Sequence, residues 1–136
     1  MGSTNYFNTF IEIAEDCPAL TGEMPPLKNN KKSIANLQFE MLHQHPYTFS
    51  SDDVLFSVFA IRKEISKTDW EKEREIFFSK GQPCFRASPL TKRYGWGVHS
   101  NEQGKIALYG VESEEYQQFI ADASVTKKKA MRSKRK

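Results

Sequence analysis

The spacing of hydrophobic and polar positions changes several times along the chain, and each change predicts an element. In residues 5–15, Thr9, Ile11 and Ile13 alternate with Phe10, Glu12 and Ala14 among strong β-formers. That pattern predicts a strand, which Cys17-Pro18 ends. Residues 21–32 hold Gly22, Pro25, Pro26 and the pair Asn29-Asn30, and read as a loop. Behind Ser33 as N-cap, Ile34, Leu37, Met41 and Leu42 fall at helical spacing. A helix is expected to about His43, with Pro46 closing it.

Residues 54–61 admit two readings. Ser50-Ser51-Asp52-Asp53 has the chemistry of a helix cap. Val54, Phe56, Val58 and Ala60 alternate, however, in a short run rich in Val and Phe, and a strand is preferred. Thr68 and Glu71 form a capping-box pattern that opens a charged helix over 69–80, with Trp70 and Phe77 on its buried face. Gly81 stops it. Residues 84–87 read as a short strand. Residues 94–99 and 105–111 form a hairpin around the polar, Gly-ended loop 100–104. Ser113 caps a last helix with Glu114 and Glu115 in its first turn and an apolar stripe of Tyr116, Phe119 and Ile120. The sum is a single α+β domain: a mainly antiparallel sheet of about five strands, covered on one face by about three helices.

Composition agrees with a packed globule, with ten Phe, five Tyr and two Trp in 136 residues. No apolar run has the length of a membrane span, and the N-terminus lacks the pattern of a secretory signal. The two cysteines, Cys17 and Cys84, are far apart and are expected to be reduced, with the cytoplasm as the location. Charge divides the chain. Residues 125–136 carry seven bases and no acid; taking these from the 20 bases leaves 13 against 17 acids, so residues 1–124 carry about −4. A body of residues 1–124 and a mobile basic tail of residues 125–136 are expected.

Several segments are specific enough to carry a resemblance. Asn5-Tyr6-Phe7-Asn8-Thr9-Phe10-Ile11, Ala14-Glu15-Asp16-Cys17-Pro18, Ser51-Asp52-Asp53-Val54-Leu55-Phe56, residues 80–90, Tyr94-Gly95-Trp96-Gly97, residues 105–110, Ser113-Glu114-Glu115-Tyr116 and residues 129–135 are the ones in question. Together they resemble a family of small uncharacterised bacterial proteins, a domain of unknown function. The resemblance implies a bacterial cytoplasmic single-domain protein and implies no activity.

Each candidate for chemistry has a structural counterpart. Cys84 lies between Pro83 and Phe85 and near the cations Lys80 and Arg86, which favour thiolate. A buried strand residue is the favoured reading. His99 is the candidate base, and Asp52 with Asp53 the candidate carboxylates. Adjacent aspartates before an apolar run are more often turn or cap residues. His43 and His45 are two apart, a spacing unsuited to a shared metal on a helix, and no metal or cofactor motif accompanies them. Gly95 and Gly97 strip one strand face of side chains, so that either a flat ligand or a packed ring can approach.

Residues 80–99 contain no acid. Lys80, Arg86, Lys92, Arg93, Trp96 and His99 are therefore the expected ligand-binding residues. The expectation is a non-enzymatic binding module for an anionic partner, nucleic acid or a phosphorylated ligand, with the tail adding non-specific affinity. A small enzyme using Cys84 or His99 with Asp52 and Asp53, and a protein-interaction domain without chemistry, are the alternatives. Neither the partner nor the oligomeric state is readable from the sequence.

Overall fold

The computed structural model describes residues 2–133. The last three residues of the expected tail lie outside the described residues. The described residues form a mixed α/β domain of four strands and five helices: β1 (Thr9–Glu12), α1 (Ile34–Gln44), α2 (Ser51–Arg62), α3 (Trp70–Phe78), α4 (Pro89–Lys92), β2 (Trp96–Ser100), β3 (Ile106–Gly110), α5 (Glu114–Ala121) and β4 (Thr126–Lys129). The sheet order is β3-β2-β1-β4. The pairs β1–β2 and β2–β3 are antiparallel, and β4 is parallel to β1.

Helices cover both faces of the sheet, not one. Ile11, Val98 and Ile106 pack with Leu37 and Leu42 of α1 and Val54 and Val58 of α2. On the other face Phe10 packs with Tyr116, Phe119 and Ile120 of α5 and with Val125. The register Phe10↔His99 and Ile11↔Val98 keeps each strand's alternate residues on these opposite sides. No helix among the described residues is long and apolar enough to cross a membrane.

The run at 54–61 is helical, and its alternation has a physical source. Val54, Phe56, Val58 and Ala60 are all buried. Val54 and Val58, one helical turn apart, face the sheet, while Phe56 faces the rings of Trp70 and Phe77 from α3. A helix buried on two opposite sides shows two such rows about half a turn apart, which reads as period two. The Ser50 cap decides the outcome. Its hydroxyl accepts from the Asp53 N–H at 3.1 Å, and Asp53 accepts from the Ser50 N–H at 3.0 Å.

Residues 84–87 also differ from the expected strand. Phe85–Ala87 is a 3-10 turn, and Ser88-Pro89 then opens α4 with the Ser88 hydroxyl accepting from the Leu90 N–H at 3.1 Å. The tail supplies the missing strand. Val125 and Ala130 are buried at its two ends, and between them the Thr126 N–H bonds Asn8 and the Ala130 N–H bonds Glu12. Two small anchors and a ladder suffice for an edge strand, since β1 would otherwise leave its backbone groups unpaired. Composition, which weighs apolar residues alone, misses this.

Candidate functional site

The site begins with the segment that follows α3. Pro83 breaks the chain after Gly81, Cys84 caps the 3-10 turn, and residues 82–89 run past the ends of α1 and α2. Between these elements lies a cleft of about 280 Å³. Ile34 from α1, Leu55, Val58 and Phe59 from α2, and Phe77 from α3 form its apolar walls, with Pro83, Ala87 and Pro89 opposite. Five polar residues also line it: Gln38, Arg62, Gln82, Cys84 and Ser88.

Most of these polar groups are already engaged. The Ser88 hydroxyl donates to Gln38 Oε1 at 2.6 Å, both side chains being buried. Gln82 Nε2 donates to the carbonyl of Phe77 at 2.7 Å, capping the end of α3. Cys84 Sγ lies 3.3 Å from Tyr6 Oη. Burial pushes the Tyr6 phenol up, the Cys84 bond adds to this, and nearby Arg86 opposes it. Arg62 is the exception. It ends α2, it is exposed, and among the described residues it has no ion pair or side-chain hydrogen bond.

Cys84 is thus a half-buried thiol at the wall of a cleft, not a buried strand residue. His99 sits on the α5 side of the sheet. Its Nδ1 is 2.8 Å from Tyr47 Oη, whose oxygen is also 2.8 Å from Tyr109 Oη, and its ring stacks on Phe119 at 4.1 Å. The sheet therefore lies between His99 and the Cys84 cleft, beyond the hydrogen-bond reach that a nucleophile and its base require. Asp52 accepts from Thr4 N and Oγ1, each at 2.7 Å, and from Ser3 Oγ at 2.9 Å, tying the N-terminal segment down. Asp53 closes the α2 cap and pairs with Arg74 at 3.0 Å. Burial raises Asp53, but the Ser50 N–H and the Arg74 guanidinium outweigh it and hold the carboxyl below its ordinary value.

The six residues expected to bind ligand are spread over both faces of the sheet. Arg86 Nε donates to the Lys129 carbonyl at 2.7 Å, locking β4 in place. Trp96 donates its indole N–H to the Glu23 carbonyl at 2.8 Å and packs beside Phe39 and His43, on the face opposite His99. Lys80 follows α3 and is exposed; Lys92 ends α4, and Arg93 is its exposed C-cap. The open face at Gly97 is filled: a Cβ there would collide with Phe10 and come within 2.7 Å of Tyr116 Cε2. Gly95, at φ +78°, faces the Thr21 carbonyl. A ring and a loop, not a ligand, account for both glycines.

His43 and His45 are exposed and stand against Phe39 and Phe49 respectively. Among the described residues no group of three His, Cys, Asp or Glu is placed to hold a metal ion. A second groove, of about 450 Å³, runs past Met24, Leu27, Phe39 and His43. Its cation, Lys32, is already paired with Glu40 at 2.9 Å. Sequence reasoning missed Tyr6, Gln38 and Arg62. Only the position of Arg62, at the polar end of an apolar run, was a usable signal.

Fold and cleft together define a small α/β domain with an apolar cleft that carries Arg62 at its rim and no assembled acid–base constellation among the residues the sequence nominated. The chain belongs to a family of unknown function, DUF6157, whose model matches residues 1–136. No curated protein matches the chain. No solved structure matches it.

Proposed function

We propose that this chain is a non-enzymatic binding module for an anionic partner, and that the partner is a small molecule held in the Arg62 cleft. The observation that carries this reading is an unpaired guanidinium at the rim of an apolar cleft of about 280 Å³. Apolar walls supply burial energy, and a single placed charge supplies orientation and selectivity, the usual division of labour in small-molecule sites. The aliphatic stem of Arg62 can lie along the wall while its head stays in water.

A polyanion on the basic tail is the weaker form of the same idea. Lys129 and Arg132 lie 3.3 and 3.8 Å from Glu15, and Lys127 donates to the Asp122 carbonyl. Nucleic acid must therefore compete with Glu15 and the Asp122 carbonyl for these bases, at a cost that exposed arms do not bear.

The test is calorimetric titration with octanoate, octyl sulfate, octyl phosphate and octanol, alongside a DNA duplex. Octyl anions are expected to bind and to slow alkylation of Cys84, octanol to bind more weakly, and Arg62→Ala to remove the difference. Binding of octanol as tight as that of every anion, or binding of the duplex alone, overturns the proposal.

A further inference from the structure

Resting on that reading of the cleft, we infer that its ligand is a carboxylate on a short apolar chain, bound head-outward on Arg62. Three observations lead there. First, among the described residues Arg62 is the single cationic residue lining the cleft, and no acid lines it. One guanidinium neutralises one negative charge. A phosphate monoester brings about −1.5 to −2 and three acceptor oxygens, and is ordinarily met by several charge-assisted donors.

Second, two of the other polar groups that could complete a phosphate cradle, Ser88 and Gln82, are committed. Ser88 donates to Gln38, and Gln82 donates to the Phe77 carbonyl. Breaking these contacts would leave Gln38 Oε1, on a side chain only 3% exposed, without its donor. A carboxylate asks for none of them, because its two oxygens match the two parallel N–H groups of one guanidinium.

Third, the head group and the body must part at the rim. Arg62 is exposed, whereas the wall residue Val58 is only 3% exposed. A charged head stays hydrated beside Arg62 while the chain lies against Ile34, Leu55, Phe59 and Phe77. The volume, about 280 Å³, is at the small end for ligand sites and limits the body to a short chain or a single ring.

The test compares octanoate, octyl sulfate and octyl phosphate on the full chain by titration calorimetry, then repeats octanoate with Arg62→Lys and Arg62→Ala. Octanoate is expected to bind tightest. Arg62→Lys, which keeps the charge but loses the planar fork, is expected to weaken octanoate by roughly tenfold, the scale of one charge-assisted bond. Octyl phosphate or octyl sulfate binding as tightly as octanoate overturns the carboxylate assignment and leaves the anion-binding cleft standing. Octanoate binding unchanged by either substitution overturns the role of Arg62 itself. Butanoate serves as the length control: affinity equal to that of octanoate removes the apolar chain from the assignment.

Discussion

Gly97 lies under the rings of Phe10 and Tyr116, which meet edge to face at 4.9 Å with the Tyr116 ring steep to that of Phe10. Tyr116 Oη also accepts from the Ile13 N–H at 2.9 Å, so α5 is fastened to the residue that follows β1 through the same ring. Any side chain at 97 displaces this contact. Gly97→Val is expected to destabilise the fold by about 1–3 kcal/mol, the usual range for overpacking. Urea denaturation measures it. An unchanged midpoint would mean that the rings can move aside, and that α5 is not clamped as described.

Burial is the main influence on His99 and lowers its pKa, with Asp122 opposing it. The neutral ring is therefore favoured in the fold. Its contribution is complete above the unfolded value near 6.5 and is lost as pH falls through the lower folded value. Tyr47 and Asp122 act on the ring directly, and Tyr109 bonds Tyr47 behind it. Burial and the Tyr109 bond push the Tyr47 phenol far up, so Tyr47 stays neutral throughout this window. Stability measured by denaturation should decline below about pH 6.5, and His99→Gln should flatten that decline. An identical decline in the variant would assign it to other groups.

The sheet pairing of 126–129 changes what truncation should do. Removing residues 126–136 strips β1 of its parallel partner and leaves the neighbours of Ala130 uncovered. A measurable loss of stability is expected, read as a lower midpoint in urea denaturation. Arg86→Ala removes the bond to the Lys129 carbonyl. Amide exchange across 126–130 should then rise while exchange in β2 holds. Equal exchange in the variant and the parent would show that the ladder alone secures β4.

Asp53 serves the α2 cap and the Arg74 pair at once. Asp53→Ala is expected to cost about 1 kcal/mol, typical of losing an N-cap partner. Because its carboxyl is held low, the stabilisation is present above the unfolded value of 3.8 and disappears as pH falls through the folded one. Comparing acid denaturation of the variant and the parent checks this: the gap between them should close at low pH.

The sequence by itself determined the elements whose signals are local. Ser33, Ser113 and the polar loop 100–104 place α1, α5 and the β2–β3 hairpin where caps and turn chemistry put them, because those hydrogen bonds join near neighbours in the chain. Membership of a family of unknown function is carried by the whole chain, whose residues 1–136 the family model matches. Tertiary structure decided the rest. The alternation in α2 means two buried sides only once α3 has packed against Phe56, and the lysine-rich segment becomes a strand only because β1 offers an open edge. The cleft depends on residues from α1, α2, α3, a turn and the start of α4, brought together from Ile34 to Pro89, and its cation is notable because no acid is among the described residues that line it. Burial on a second side, an available edge and a missing neighbour are relations between distant parts of the chain, and local pattern does not encode them.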